Sequence, residues 1–202
     1  MIWVESAGGS LALVEASSLG EWTGYEGDYE RACAVDFVDV IPFGRDAQAL
    51  IFGDEPAATA FLPDMGTFVQ WMYADPGVDV IRALGTVTDA RWETGPIFEI
   101  SGPLVLLDAA LPGADVTVDQ PRQDGFGAEA LSIDIAAGRY RVESAEAAVA
   151  DARTQLGDVV RCGRRARLGR RPSPERKPIA LSLAWTSLFA SKSLAAVTSP
   201  TT

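Results

Sequence analysis

The chain has 202 residues, room for one ordinary domain with or without a tail, and with 48% apolar and 22% charged residues it can bury a real core. It holds no histidine, which excludes Ser-His-Asp and Cys-His catalysis and His-ligated zinc, and its two cysteines, Cys33 and Cys162, are too few for a disulfide framework or a cysteine zinc site. The net charge of −11 is unevenly spread: residues 1–150 carry 7 arginines, no lysine and 25 acids, a net −18, whereas residues 151–202 carry 10 basic and 3 acidic residues, a net +7.

A body of that sign repels phosphate, so nucleic acid is not its expected partner. Basic proteins are the natural counterpart, and the field speeds their arrival. The same acidity also keeps a soluble protein dispersed. Met1–Glu5 lacks the basic region of a targeting signal. Ile179–Val197 is fairly apolar, but Lys192 and recurrent Ser and Thr interrupt it, so no membrane span is expected there. The expectation is a soluble, cytoplasmic protein.

In chain order, Ile2–Glu5 and Leu11–Val14 flank Gly8-Gly9 and predict a first hairpin. A short helix is expected from Asp28 through Cys33, with Cys33 as a small buried hydrophobe. Val38–Phe43 and Ala49–Phe52 around Gly44-Arg45-Asp46 predict a second hairpin, and Thr67–Tyr73 is rich in strand formers. Asp75 as N-cap, Pro76 at the first position and Gly85 at the end sign a helix with Val80, Ile81 and Leu84 on its apolar stripe. Ile97–Ile100 and Leu104–Leu107 around Ser101-Gly102-Pro103 predict a third hairpin. Leu131–Ile135 and Arg139–Val142 around Ala137-Gly138 predict a fourth, with Tyr140 and Val142 on its dry face. The fold class is therefore α+β: mostly β, built of antiparallel hairpins with one or two short helices.

Gly9-Ser-Leu-Ala-Leu-Val-Glu-Ala echoes Gly102-Pro-Leu-Val-Leu-Leu-Asp-Ala. An old duplication gives such an echo, and so do two buried strands of one type.

After residue 143 the character changes. Residues 1–143 hold 16 of the 19 glycines and 15 of the 17 aromatic residues. They are expected to form the domain, and residues 144–202 an atypical basic tail. Ala-rich Glu146–Leu156 predicts one helix, and the Arg-, Gly- and Pro-rich remainder is expected to be poorly ordered. Its composition fits a solvated appendage, a basic arm or the product of a shifted reading frame.

The search for chemistry is brief. With 25 acids in the body, carboxylate pairs for a hydrolase arise by chance, and Asp36, Asp39, Asp54, Glu55 and Asp134 are such candidates. Calcium loops and glycine-rich phosphate loops are absent, so neither metal nor cofactor is expected. Glu21–Glu30 stands out instead, with three aromatics and four acids in ten residues. Trp22, Tyr25 and Tyr29 are candidate anchors of a partner interface. Glu21, Glu26, Asp28 and Glu30 would steer a basic partner, and Asp54 and Glu55 form a second patch. The other reading of the segment is a surface loop whose aromatics fold back onto the core.

Several motifs, in order, resemble the immunity protein 21 family of bacterial polymorphic toxin systems. They are Trp3-Val-Glu-Ser-Ala-Gly-Gly with Leu11-Ala-Leu-Val, Asp28-Tyr-Glu-Arg-Ala-Cys33, Leu50-Ile-Phe-Gly-Asp-Glu-Pro56, Trp71-Met-Tyr-Ala-Asp75 and Gly138-Arg-Tyr-Arg-Val142. The resemblance spans about residues 1–143. It implies a mostly β cytosolic protein, encoded beside a toxin, that protects its producer from that toxin, and it brings no catalytic residues with it. We read the body as a non-enzymatic domain that neutralises the toxin by stoichiometric binding and occlusion. The alternatives are an acidic accessory domain that binds another protein without neutralising a toxin, and a carboxylate-dependent hydrolase.

Overall fold

The computed structural model describes residues 2–6, 9–53, 58–71, 92–121, 127–150 and 159–170. Its first part runs β1 (Trp3–Val4), β2 (Leu11–Glu15), 3-10 turns at Ala16–Glu21 and Gly24–Glu26, helix α1 (Asp28–Cys33), β3 (Val38–Phe43) and β4 (Ala47–Phe52). β5 (Thr59–Leu62), a 3-10 turn at Pro63–Met65 and β6 (Thr67–Trp71) follow. The second part holds β7 (Glu93–Ile100), β8 (Leu104–Asp108), β9 (Ala130–Ile133), β10 (Gly138–Ala150) and β11 (Val159–Arg170). The architecture is mostly antiparallel β with a short helix, as expected.

The strands form two sheets. One has the order β1-β5-β6-β11-β10-β7 and the other β3-β4-β2-β8-β9. Alternation along the strands sorts the apolar residues into two clusters. Leu11, Leu13, Leu104 and Leu106 of the five-stranded sheet meet Phe68, Phe98, Tyr140 and Val142 of the six-stranded sheet in the core between them. Ala12, Val14, Ile51, Val105 and Leu107 point the other way, toward a second core closed by Trp22, Ala32 and Ala109. The five-stranded sheet is thus buried on both faces, and the segment carrying α1 covers its outer one.

Helix α1, the β3–β4 hairpin and strand β6 lie where expected. Tyr140 and Val142 are buried and Arg139 is exposed, as the alternation required. The other three hairpins do not form. β1 pairs with β5 while β2 pairs with β4 and β8. The turns at Ser101-Gly102-Pro103 and Ala137-Gly138 likewise pass from one sheet to the other, since β7 and β10 lie in the six-stranded sheet and β8 and β9 in the five-stranded one. A short turn between two half-buried strands serves an arch between stacked sheets as well as a hairpin. Alternation shows which face is dry, not which neighbour is paired.

Two further expectations need correction. Cys33 is exposed rather than buried. The helix expected over 146–156 does not begin, because Ala147–Ala150 belong to β10 and pair with Val159–Cys162 of β11. Pairing on the sheet outweighs the helical propensity of the Ala-rich run. Strand pairing therefore runs across residue 143, and Val159–Arg170, expected to be poorly ordered, instead forms β11 between β6 and β10. The helix expected over Asp75–Gly85, residues 151–158 and the tail from 171 onward lie outside the described residues.

The echo between residues 9–16 and 102–109 belongs to a wider correspondence. β1, β2, β4, β5 and β6 match β7, β8, β9, β10 and β11 in order and in partners: β2·β4 matches β8·β9, β1·β5 matches β7·β10, and β5·β6 matches β10·β11. The two sets meet in the antiparallel pairs β2·β8 and β6·β11. Leu13 faces Leu106, residues at equivalent places in the echo. The flanking hydrogen bonds repeat as well: Ala16 N–H donates to Pro103 O (2.8 Å) and Ala109 N–H to Ser10 O (3.0 Å). This is the pattern of an approximate two-fold axis through one chain, and it favours duplication.

Candidate partner-binding surface

The segment Glu21–Glu30 divides by burial. Trp22 is buried; its Nε1–H donates to Ala109 O (3.0 Å) and its ring meets Phe43 edge-on at 5.3 Å. It is a pillar of the outer core and not an interface anchor. An indole buries more area than any neighbour in the segment supplies, so the covering layer uses it as its fastening.

Asp28 is also buried. Its Oδ2 accepts from Thr23 N–H (2.8 Å) and from the Thr23 hydroxyl (2.7 Å), while its own N–H donates to Thr23 Oγ1 (3.0 Å). Its Oδ1 takes Arg31 Nη2, and Arg31 Nη1 donates to Pro42 O (2.7 Å). Asp28 thereby ties the start of α1 to the edge strand β3 instead of steering a partner. Arg31 occupies an outward carbonyl of that edge, and Asp39 Oδ1 takes the Val40 N–H (2.8 Å), which leaves less of β3 open to another strand.

Tyr29 is half-buried and packs on the outer core. A side chain at Gly9 would collide with its hydroxyl, so the glycine admits the ring. The phenol titrates above its usual range, first because of the hydrogen bond with Cys33, then by burial, then through the charges of Cys33 and Asp108. Glu21 is exposed, but its Oε2 accepts Arg45 N–H (2.9 Å) and its side chain lies against Gly44, a left-handed turn residue with φ of 55°. It latches the β3–β4 turn. Tyr25, Glu26 and Glu30 are exposed. Asp54 and Glu55 lie outside the described residues.

A groove of about 370 Å³ opens beside the latch, lined by Glu15, Glu21, Arg45, Asp46 and Glu99 among others. Glu15 accepts the Ser101 N–H, and Glu99 pairs with Arg139 at 2.7 Å. These acids come from three distant stretches, and nothing local in the sequence marks them as neighbours. Among the described residues, no group of three or more His, Cys, Asp or Glu side chains is placed to hold a metal ion, and no helix is long and apolar enough to cross a membrane.

The family model described as immunity protein 21 matches residues 2–154. The chain belongs to the immunity protein 21 family. The match runs from β1 through β10 and ends in the connection to β11. For this immunity protein 21 member, no curated protein and no solved structure gives a match.

Proposed function

We propose that the chain is an immunity protein that protects its producer by binding a cognate toxin one to one and covering the toxin's working surface. The observation that carries this is membership of the immunity protein 21 family over residues 2–154. The net −18 of residues 1–150 supports a basic partner surface. The protein acts in the cytoplasm, by association rather than turnover and without a cofactor. Exposed Tyr25, Glu26 and Glu30 are the interface candidates that the fold leaves available. Trp22 and Asp28 serve stability instead.

The test is coexpression with the toxin domain encoded beside this chain. Cells carrying both should grow, and the two proteins should co-purify at equal stoichiometry. Growth arrest that the chain does not relieve would overturn the reading.

A further inference from the structure

Among the described residues, the two halves of the fold differ most in the connection between their second and third matched strands, and that place has an unusual surface. Between β2 and β4 the chain inserts two 3-10 turns, α1 and β3; between β8 and β9 the described residues carry only turns and isolated bridges.

The insertion is held from its inner side by Trp22, Ala32 and the Asp28–Thr23 bonds. Its outer side shows Tyr25 at 68% exposure and Phe37 at 51%, large apolar side chains that folding alone would hide. Their backbones are fixed. Tyr25 N–H donates to Ala110 O (2.9 Å), and Phe37 O accepts from Gly53 N–H (2.6 Å). Gly53 directly follows β4 and Ala110 lies in the turn after β8, the two strands that flank β2. Exposed Glu26 and Glu30 lie in the sequence between the rings. The stretch has one cation, Arg31, and it is committed to Asp28 and Pro42.

We propose that the outer face of Tyr25–Phe37 docks an arginine-bearing surface of a protein partner. Aromatic faces accept guanidinium groups while the carboxylates pair with them, and rings on a pinned backbone lose little freedom on binding. Phosphate of a nucleic acid would be repelled by the same carboxylates. Identifying that partner with the toxin rests on the immunity reading; the docking chemistry does not.

The test titrates the full chain with a deca-arginine peptide at about 0.15 M salt, where long-range attraction by the rest of the acidic body is screened. Tyr25→Ala with Phe37→Ala should weaken binding at least tenfold without moving the melting temperature. Glu26→Gln with Glu30→Gln should weaken it several-fold. Asp46→Asn with Glu99→Gln, in the groove, should change it less than twofold. Unchanged binding by the aromatic pair, or a larger loss from the groove pair, overturns the proposal. If the double aromatic variant fails to fold, Tyr25→Ser alone decides by the same criterion. Protection assays on the same variants separate the two readings: failure of the unaltered chain to protect overturns immunity and leaves the peptide result standing. Full protection by a variant that no longer binds peptide overturns this face as the toxin site.

Discussion

The first and second halves of the molecule share five strands and the way those strands pair, and among the described residues the first half alone adds a helix and an edge strand. Where they agree, the residues are those of a scaffold: Leu13 and Leu106, both fully buried, face each other where the halves meet. Where they differ, the side chains split into fastenings and display. Trp22 and Asp28 turn inward, Tyr25 and Phe37 outward. The strands repeated in both halves form the scaffold, and the segment present in one half covers the outer core with Trp22 and Ala32 while leaving Tyr25 and Phe37 outside.

The largest expected effect comes from breaking the equivalence of β6 and β11. Truncation after Ser144 removes β11 and the end of β10, leaving β6 without its partner on that side. The truncated chain should lose cooperative unfolding in urea. A sharp transition from it would return the domain boundary to residue 143. Next is Trp22→Ala, which removes a buried indole and leaves Ala109 O without its donor; it should cost about 3–5 kcal/mol in denaturant melts. Leu13→Ala and Leu106→Ala should each cost about 2–5 kcal/mol, by similar amounts if the halves are equivalent. Because the two face each other, the double variant should depart from additivity. Unequal costs would show that one half carries the core.

The smallest effect is that of Tyr29. Its phenol is held above the usual value near 10, so the folded chain keeps that proton longer than the unfolded chain. The associated stability is full below about pH 10 and is lost as pH rises through the folded value. Tyr29→Phe should therefore fall less steeply in urea midpoint between pH 9 and 11 than the parent chain. An identical slope would mean that Cys33 and burial do not act on this hydroxyl.

Much of the fold was legible in the sequence. Short apolar runs between Gly and Pro turn signals announced a strand-rich body, and α1 was marked from Asp28 to Cys33, whereas the echo of residues 9–16 in 102–109 fitted two buried strands of one type as well as a repeat. Pairing partners were not legible, because Gly8-Gly9, Ser101-Gly102-Pro103 and Ala137-Gly138 suit a hairpin and an arch between sheets equally. β11 was hidden because its arginines and glycines read as solvated chain. At the surface, composition could bring Trp22 and Tyr25 together but could not tell the buried ring from the exposed one; that depends on Ala109 and Phe43, both remote from Trp22 in the chain. Phe37 gave no signal, since an apolar residue ahead of a strand is ordinarily covered.

The meeting of the halves at β2 and β8 can be measured without any substitution. The flanking Ala16–Pro103 and Ala109–Ser10 bonds make Leu13 and Leu106 a non-hydrogen-bonded pair, the closer kind, with Cα atoms about 4.5 Å apart. Nuclear Overhauser spectra of the labelled full chain should show a strong cross-peak between the Hα protons of Leu13 and Leu106. Its absence, with cross-peaks instead joining Ile97–Ile100 to Leu104–Leu107 as in a hairpin, would contradict the two-half scaffold.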